Sequence, residues 1–356
     1  MCGHTQPHRS PWASIPAAAR DHSGRVGRSS RSRNLQLQRR VDRTSSLQAH
    51  TGFQHEALLY RGTANFLHHA VPFIRDGLDA GEPVLVLTAA SRIDALRAEL
   101  RGDAEQVQFA DMAQAGSNPA RIIPLWQEFI DRKRNDGRPV RGIGEPIWPE
   151  RSPAELAECQ WHESLLNLAI DPATPIWLLC PYDTSALEAG VVAEAHRSHP
   201  LVTEGDHRRE SGAFRGLGRS AEPFFVPLPA PPLGCRSLAF GPADLATVRA
   251  TVSAFAAQAG LKAERKDELV AAAHEVACNS VQHGGGGGEL RLWRDHRSVI
   301  CEFSDHGRVD DPMIGRRRPS ARSAGGRGLW LANHMCDLVQ IRTLRQGTVV
   351  RLHKRL

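Results

Sequence analysis

Three features are missing from this 356-residue sequence, and each absence excludes a class of protein. No apolar run approaches the ~20 residues that cross a bilayer, so we predict a protein that has no membrane span. No G-x-x-x-x-G-K-[ST] motif is present, which excludes an intact P-loop NTPase. The seven cysteines are scattered and include no C-x-x-C pair. This pattern favours reduced thiols in the cytoplasm and argues against a zinc site.

Positive charge is concentrated in the first 50 residues. They hold nine Arg and two Asp, a contribution of +7 against a total of +6, so the remainder is close to neutral and we expect no direct binding to nucleic acid. Residues 1–50 are also rich in Ser and Pro and poor in large apolar residues, which predicts a disordered basic tail. A transit peptide, a basic nucleic-acid arm and sequence upstream of the natural start are the other interpretations of this segment.

Residues 51–200 alternate short apolar runs with longer amphipathic stretches. The runs predict strands at 57–60, 83–88, 107–111, 140–148 and 176–183, and the stretches predict helices at 64–78, 92–101, 119–134, 153–169 and 185–196. We expect Pro72 to kink or end the first helix and Ser91 to cap the second. The alternation predicts an α/β domain whose mostly parallel sheet is covered by helices.

Ligands of such sheets bind outside the carboxyl ends of the strands. We therefore expect a sensory pocket built from residues at those ends, although each of them is also an ordinary strand-end residue. The candidates are His55, Tyr60, Glu145, Trp148, Tyr182 and Asp183, with Arg61, Thr88 and Asp111 nearby. His162 and Glu163 are further candidates for this pocket, and a surface pair on a helix is the alternative that the sequence favours.

Residues 201–234 lose the periodicity and end in a proline-rich stretch, which predicts a semi-rigid linker. A second domain, 235–356, is predicted to hold a mixed sheet with helices on one face. Its central helix runs from residue 267 to a five-glycine run at 284–288, interpreted as a flexible connection. Glu275 and Asn279 lie four residues apart and so project from one side of this helix.

Three later motifs accompany this pair of polar residues. Asp305 and Gly307 follow an apolar strand, Gly326 and Gly328 open an apolar helix, and Thr348 begins the last strand. Backbone N–H groups at a glycine-rich helix start favour phosphate. In this order, the four motifs resemble the GHKL ATP-binding fold, an α/β sandwich of the Bergerat type, over the last third of the chain.

That resemblance implies ATP and Mg²⁺ as cofactors and assigns a role to each residue. Asn279 would offer its carbonyl oxygen to a Mg²⁺ carried by the nucleotide, Asp305 and Thr348 would contact adenine, and the nucleotide would also contact Gly307, Gly326 and Gly328. Glu275 would accept a proton from an attacking hydroxyl. Residues 308–324 would form a mobile lid in which one of Arg316, Arg317, Arg318 and Arg322 reaches a phosphate, and a solvated basic loop is the alternative interpretation. Arg308 and Val309 depart from the glycine common after this motif, a departure that anti-sigma kinases tolerate.

Residues 53–200 resemble the MEDS sensory domain through H-E-A-L-L-Y, G-E-P-V-L-V, G-E-P-I-W and L-C-P-Y-D, which begin at residues 55, 81, 144 and 179. A MEDS-like domain before a GHKL domain resembles RsbA-type anti-sigma-factor regulators. This order implies a cytoplasmic serine/threonine kinase, an unidentified small ligand, and an anti-anti-sigma or sigma-factor partner. The resembling kinases are commonly homodimers.

Two other functions stay open at this point. A sensor histidine kinase would need a phosphoacceptor histidine on a dimerising hairpin, whereas His274 lies inside the predicted nucleotide-binding helix and 197–234 is broken by prolines. A nucleotide-gated binding module would sequester its partner without phosphorylating it. Only the role of Glu275 separates this third function from the kinase.

Overall fold

The computed structural model describes residues 51–133, 138–319 and 326–356. The predicted basic tail and residues 320–324 of the predicted lid lie outside the described residues. Among the described residues, no helix is long and apolar enough to span a membrane.

The first half of the described chain alternates strands and helices, as predicted. In chain order the elements are β1 (Gln54–Tyr60), α1 (Gly62–Asp79), β2 (Val84–Thr88), α2 (Ala90–Leu100), β3 (Val107–Asp111), α3 (Met112–Ala115), α4 (Ile122–Lys133), β4 (Val140–Gly144), α5 (Pro153–Ala169), β5 (Ile176–Asp183), α6 (Ala189–Ser198), β6 (Leu201–Glu204) and β7 (His207–Glu210).

These strands form one seven-stranded sheet in the order β3-β2-β4-β5-β1-β6-β7. All neighbours pair in parallel except β6 and β7, which confirms the mostly parallel sheet. Strands β6 and β7 correct the sequence interpretation, which placed residues 201–210 in the linker. Both strands are short, β7 is exposed along its whole length and β6 buries Val202 alone, so neither carries the apolar run that marks an inner strand.

Three helix boundaries also differ from the predictions. Helix α1 continues through Pro72 to Asp79. Helix α2 begins at Ala90 after Ala89, so Ser91 lies in its first turn and does not cap it. Helix α6 begins four residues later than expected because Asp183 forms a turn, in which its carboxylate accepts a hydrogen bond of 3.0 Å from the Ser185 N–H.

The second half contains β8 (Arg236–Phe240), α7 (Leu245–Gln258), α8 (Ala263–His283), β9 (Gly288–Arg294), β10 (Ser298–Asp305), α9 (Arg327–Met335), β11 (Leu338–Leu344) and β12 (Gly347–Arg355). Its five strands are ordered β11-β12-β10-β9-β8. Every pairing is antiparallel, so the predicted mixed sheet is wrong. Short turns join β9 to β10 and β11 to β12. Strands joined by a short turn pair antiparallel, because a parallel pair needs a long crossover connection.

Helix α5 is one of the elements by which the two halves meet. It begins with a capping box, in which Ser152 and Glu155 exchange hydrogen bonds with each other's backbone. Ten of its side chains are buried, among them His162 and Glu163, so the predicted surface pair is wrong. The sheet covers one side of α5 and the second half covers another, so polar side chains on both sides of this helix are buried.

Candidate functional site

Helix α8 carries the first part of the candidate site. Leu269, Ala273, Val276 and Ala277 are buried along the predicted apolar stripe. Glu275 and Asn279 are half-buried, one turn apart, beside that stripe. The two polar groups are therefore held by a packed helix while they keep partial access to solvent.

The start of α9 lies directly against this pair. A Cβ atom on Gly328 would lie 2.7 Å from Glu275 Oε2 and 3.4 Å from Asn279 Nδ2. Gly326 precedes the helix with a positive φ of 84°, a conformation that favours glycine. The structure thus brings Glu275, Asn279, Gly326 and Gly328 together, and the missing side chain at Gly328 lets the start of α9 approach the carboxylate this closely.

A second cluster forms at the end of β10. Asp305 accepts hydrogen bonds from the Gly307 N–H, at 2.9 Å, and from the Ser280 hydroxyl, at 2.6 Å. Thr348 pairs with Asp305 across β10 and β12, and its hydroxyl donates to the Gly307 carbonyl at 3.0 Å. The predicted Asp305, Gly307 and Thr348 are therefore one hydrogen-bonded group. Ser280 was missed, although its place next to Asn279 put it on the same helix.

The two clusters are contiguous, because Asn279 and Ser280 are consecutive residues of α8. A cleft of about 680 Å³ opens on the second cluster and is lined by Asp305, His306, Thr348 and the glycines at 285–288. Glu275 and Asn279 lie outside this lining.

The glycine run is more than the flexible connection that was predicted. A Cβ on Gly284 would lie 2.5 Å from Asp305 Cγ, and one on Gly287 would lie 2.2 Å from the Phe240 carbonyl oxygen. These approaches are too close for any side chain, so glycine is needed to pack the end of α8 against β8 and β10.

Arg316 in the predicted lid corrects another expectation. It was a candidate for contacting phosphate, but its guanidinium is buried and donates to Glu158 of α5 at 2.7 Å. Arg342 of β11 donates to the other oxygen of Glu158 at 2.5 Å. Both guanidinium groups also lie over the Trp161 ring, at 4.5 and 5.0 Å from its centroid. Arg317 and Arg318 are exposed, and Arg322 lies outside the described residues.

The first half also contacts the far end of α9. The Arg121 guanidinium donates to the carbonyls of Asn333 (2.8 Å), His334 (3.0 Å) and Cys336 (2.9 Å). Carbonyl groups at the end of a helix lack N–H donors from the helix itself, so Arg121 supplies hydrogen bonds there. Asn333 in turn donates to the Gly315 carbonyl at 3.0 Å, one residue before Arg316. The helix whose start adjoins Glu275 is therefore anchored at its other end by the first half.

The predicted sensory residues separate into groups on the two faces of the first sheet. On one face the Glu145 carboxylate accepts hydrogen bonds from Tyr60 at 2.7 Å, from Thr88 at 2.5 Å and from Arg92, which also lies 3.5 Å from Asp183. Burial raises the pKa of Glu145 and outweighs the opposing effect of Arg92. Arg92 was missed because it lies one turn inside α2 and not at a strand end.

On the other face, His55 lies in a buried cluster with Glu163, Cys180 and His199. Burial lowers the pKa of His55, whereas contacts from His199 and His55 outweigh burial and lower the pKa of Glu163. Tyr182 packs edge-on against His199 at 5.6 Å between ring centroids. Trp148 belongs to neither group. Its ring packs against the Arg151 guanidinium, whose carbon lies 3.8 Å from the ring centroid.

Two family models match the chain in the order of these two halves. Residues 54–200 match MEDS, described as the MEthanogen/methylotroph, DcmR Sensory domain. Residues 238–354 match the histidine kinase-like ATPase domain. The chain is a MEDS domain followed by a histidine kinase-like ATPase domain. No curated protein matches it in a sequence search.

This domain pair is that of a signalling regulator with ATP-binding capacity. The ATPase domain supports nucleotide binding, generally with Mg²⁺, and kinase or ATPase activity. Its helices α8 and α9 carry the polar pair and the glycine-rich start, and the MEDS domain contacts both Arg316 and α9.

Proposed function

We propose that this chain is a signal-responsive anti-sigma-factor regulator that binds ATP with Mg²⁺ and phosphorylates a serine or threonine of an anti-anti-sigma partner. The observation that carries the proposal is the packing of Gly328 against Glu275 and Asn279, which sets a glycine-rich helix start beside a carboxylate and a carboxamide. A small ligand of the MEDS domain would set the output. We expect the protein to act in the cytoplasm, with a sigma factor or its antagonist as partner.

The residues present fit a magnesium nucleotide. Asn279 is half-buried next to space that a side chain at position 328 would fill, and its carbonyl oxygen suits Mg²⁺, which takes oxygen ligands and keeps several waters. The N–H groups at the start of α9, after Gly326, suit phosphate oxygens. The Asp305 carboxylate, held by Ser280 and Gly307, suits the adenine amino group, and Thr348 adds a hydroxyl nearby.

Glu275 is assigned the role of general base. It is not needed to hold the nucleotide, and it lies one turn from the proposed magnesium ligand. The partner's hydroxyl oxygen would form a bond to the γ-phosphorus while the bond to the leaving ADP oxygen breaks. Glu275 would accept the hydroxyl proton, so the carboxylate acts on the acceptor and not on nucleotide affinity.

The contact between Glu158 and Arg316 is the proposed route from the MEDS domain to the lid. Glu158 and Glu163 are on the same helix, so a ligand that shifts α5 would alter the hold on Arg316. A buried ion pair depends strongly on its geometry because its desolvation cost is offset only at close range. We therefore expect the position of the lid to depend on the position of α5.

The test is incubation of the purified protein with labelled ATP, Mg²⁺ and a panel of candidate anti-anti-sigma proteins from the same genome. We expect label on a serine or threonine of one partner, and loss of that label in Glu275→Gln with nucleotide binding retained. Glu264→Gln, an exposed change in the first turn of the same helix, is the matched control and should transfer label normally.

The other outcomes contradict the kinase assignment in different ways. Acid-labile label on the protein itself would indicate a histidine kinase. ATP binding without transfer to any partner would indicate a nucleotide-gated binding module. Equal loss of binding and transfer in Glu275→Gln would make this glutamate structural.

A further inference from the structure

Four buried side chains with metal-binding chemistry converge inside the MEDS domain. His55 comes from β1, Glu163 from α5, Cys180 from β5 and His199 from the end of α6, and none is more than 1% exposed. One ligand atom from each lies within 4.8 Å of the others. Glu163 Oε2 is 3.2 Å from His55 Nε2 and 3.3 Å from His199 Nε2, and Cys180 Sγ is 3.5 Å from His55 Nε2.

The hydrogen bonds around the cluster determine which imidazole nitrogens carry protons. His199 Nδ1 lies 2.9 Å from the Ala195 carbonyl oxygen, which can only accept, so this nitrogen is the donor. His55 Nδ1 lies 3.0 Å from Asn167 Oδ1. The Asn167 amide nitrogen donates to the Ser198 carbonyl at 2.8 Å, which leaves its oxygen as the acceptor for His55. When Nδ1 is the donor of an imidazole, Nε2 is the nitrogen that can bind a metal, and in both residues Nε2 faces Glu163.

This arrangement leaves lone pairs facing one another in the protein interior. Two imidazole nitrogens point at a carboxylate oxygen, and the other oxygen, Glu163 Oε1, and His199 Nε2 have no hydrogen-bond partner within the described chain. Buried groups of this kind are costly unless something positive lies between them. Metal-bound histidines commonly donate their second N–H to a carbonyl or carboxamide oxygen, as His199 and His55 do.

We propose that His55, Glu163, Cys180 and His199 bind a divalent transition-metal ion of the zinc type in the MEDS domain. A thiolate, two imidazoles and a carboxylate are a tetrahedral zinc donor set, and hard ions such as Mg²⁺ prefer oxygen ligands alone. Ligands on bonds of roughly 2.1 Å stand about 3.4 Å apart in a tetrahedron. The three contacts of 3.2 to 3.5 Å match that spacing.

The charges also balance. A carboxylate and a thiolate bring two negative charges to the site, histidine binds a metal in its neutral form, and a divalent cation neutralises both negative charges. The Cys180 proton leaves to solvent when the metal binds, so binding releases one proton for that ligand. This site does not depend on the proposed kinase activity, and its test uses no nucleotide.

The test is titration of the full-length protein, stripped of metal, with Co²⁺ as a spectroscopic probe for zinc. We expect one Co²⁺ per chain, with the intense visible bands of tetrahedral cobalt and a near-ultraviolet thiolate-to-cobalt band, both abolished by one equivalent of Zn²⁺. Cys180→Ser should remove the thiolate band. Asn167→Ala, which removes the acceptor that orients His55, should weaken Co²⁺ binding ~10–100-fold.

Two variants serve as matched controls. Cys159→Ser changes another buried thiol of the same domain, which donates to the Pro146 carbonyl, and it should keep the full spectrum. His68→Ala removes one of three groups, His68, His69 and Asp206, that could hold metal near the surface, and it should also change nothing. Far-ultraviolet circular dichroism verifies that each variant is folded.

The proposal is overturned if the wild type binds Co²⁺ no more tightly than an isolated surface histidine does. It is also overturned if the thiolate band survives in folded Cys180→Ser, or if His68→Ala removes the bound ion. Should Cys180→Ser fail to fold, the Asn167→Ala affinity decides between the two results, because an unchanged affinity would contradict the orientation of His55 by this carboxamide.

Discussion

Replacing Glu158 by Gln tests the contact between the MEDS and ATPase domains. The carboxylate is 1% exposed and pairs with Arg316 at 2.7 Å and with Arg342 at 2.5 Å. Removal of one partner from a buried ion pair costs roughly 3–5 kcal/mol, because the remaining charge stays buried and unpaired. Glutamine keeps the shape and one acceptor oxygen, and Trp161 still faces both guanidinium groups. We therefore expect the lower end, a loss of ~3 kcal/mol.

The measurement is urea unfolding followed by far-ultraviolet circular dichroism. The control is Glu222→Gln, which breaks the exposed pair of Glu222 with Arg219, where both side chains are 46% or more exposed. Exposed pairs contribute about 0–1 kcal/mol, so this control should unfold almost as the wild type does. The reasoning is refuted if Glu158→Gln loses no more stability than Glu222→Gln.

Two further predictions concern the ATPase domain. In Gly328→Ala the new Cβ would lie 2.7 Å from Glu275 Oε2, so the carboxylate must move, and phosphoryl transfer should fall at least ~10-fold in a folded protein. Gly190→Ala, where a Cβ meets no atom within 4 Å, is the control, and equal rates would contradict the role of this contact. Burial lowers the pKa of His353 from 6.5 to about 4. Between these two pH values the unfolded chain binds a proton on His353 and the folded chain does not. The free energy of unfolding should therefore fall as the pH is lowered through this window. His353→Gln should reduce that loss by up to ~3 kcal/mol in urea unfolding at several pH values, whereas an identical pH dependence would contradict the buried neutral state.

Much of the fold was predictable because its signals are local. The capping box at Ser152 and the buried run of β5 each involve residues that are close together in the sequence. The antiparallel second sheet and the short strands β6 and β7 were missed, because strand pairing is decided by partners distant in the chain and neither short strand carries an apolar run.

The candidate site divides in the same way. Glu275 and Asn279 share one helix, so their spacing places them together, whereas Ser280 was missed although it follows Asn279 on that helix. Glu158 and Arg316 lie 158 residues apart in the sequence, and no local pattern links them. His55 and Glu163 were named as pocket candidates, but their cluster with Cys180 and His199 was missed for this reason too, since the four residues come from four separate elements and show no short metal-binding spacing.

Calorimetric titration of ATP with Mg²⁺ into the wild type and Asn279→Ala tests the central claim most directly. We expect magnesium-dependent binding to the wild type and its loss in Asn279→Ala, because that change removes the carbonyl oxygen proposed to hold the metal. Gln282→Ala, an exposed carboxamide on the same helix, should bind as the wild type does. Unchanged ATP affinity in Asn279→Ala would contradict the assignment of the nucleotide site to α8.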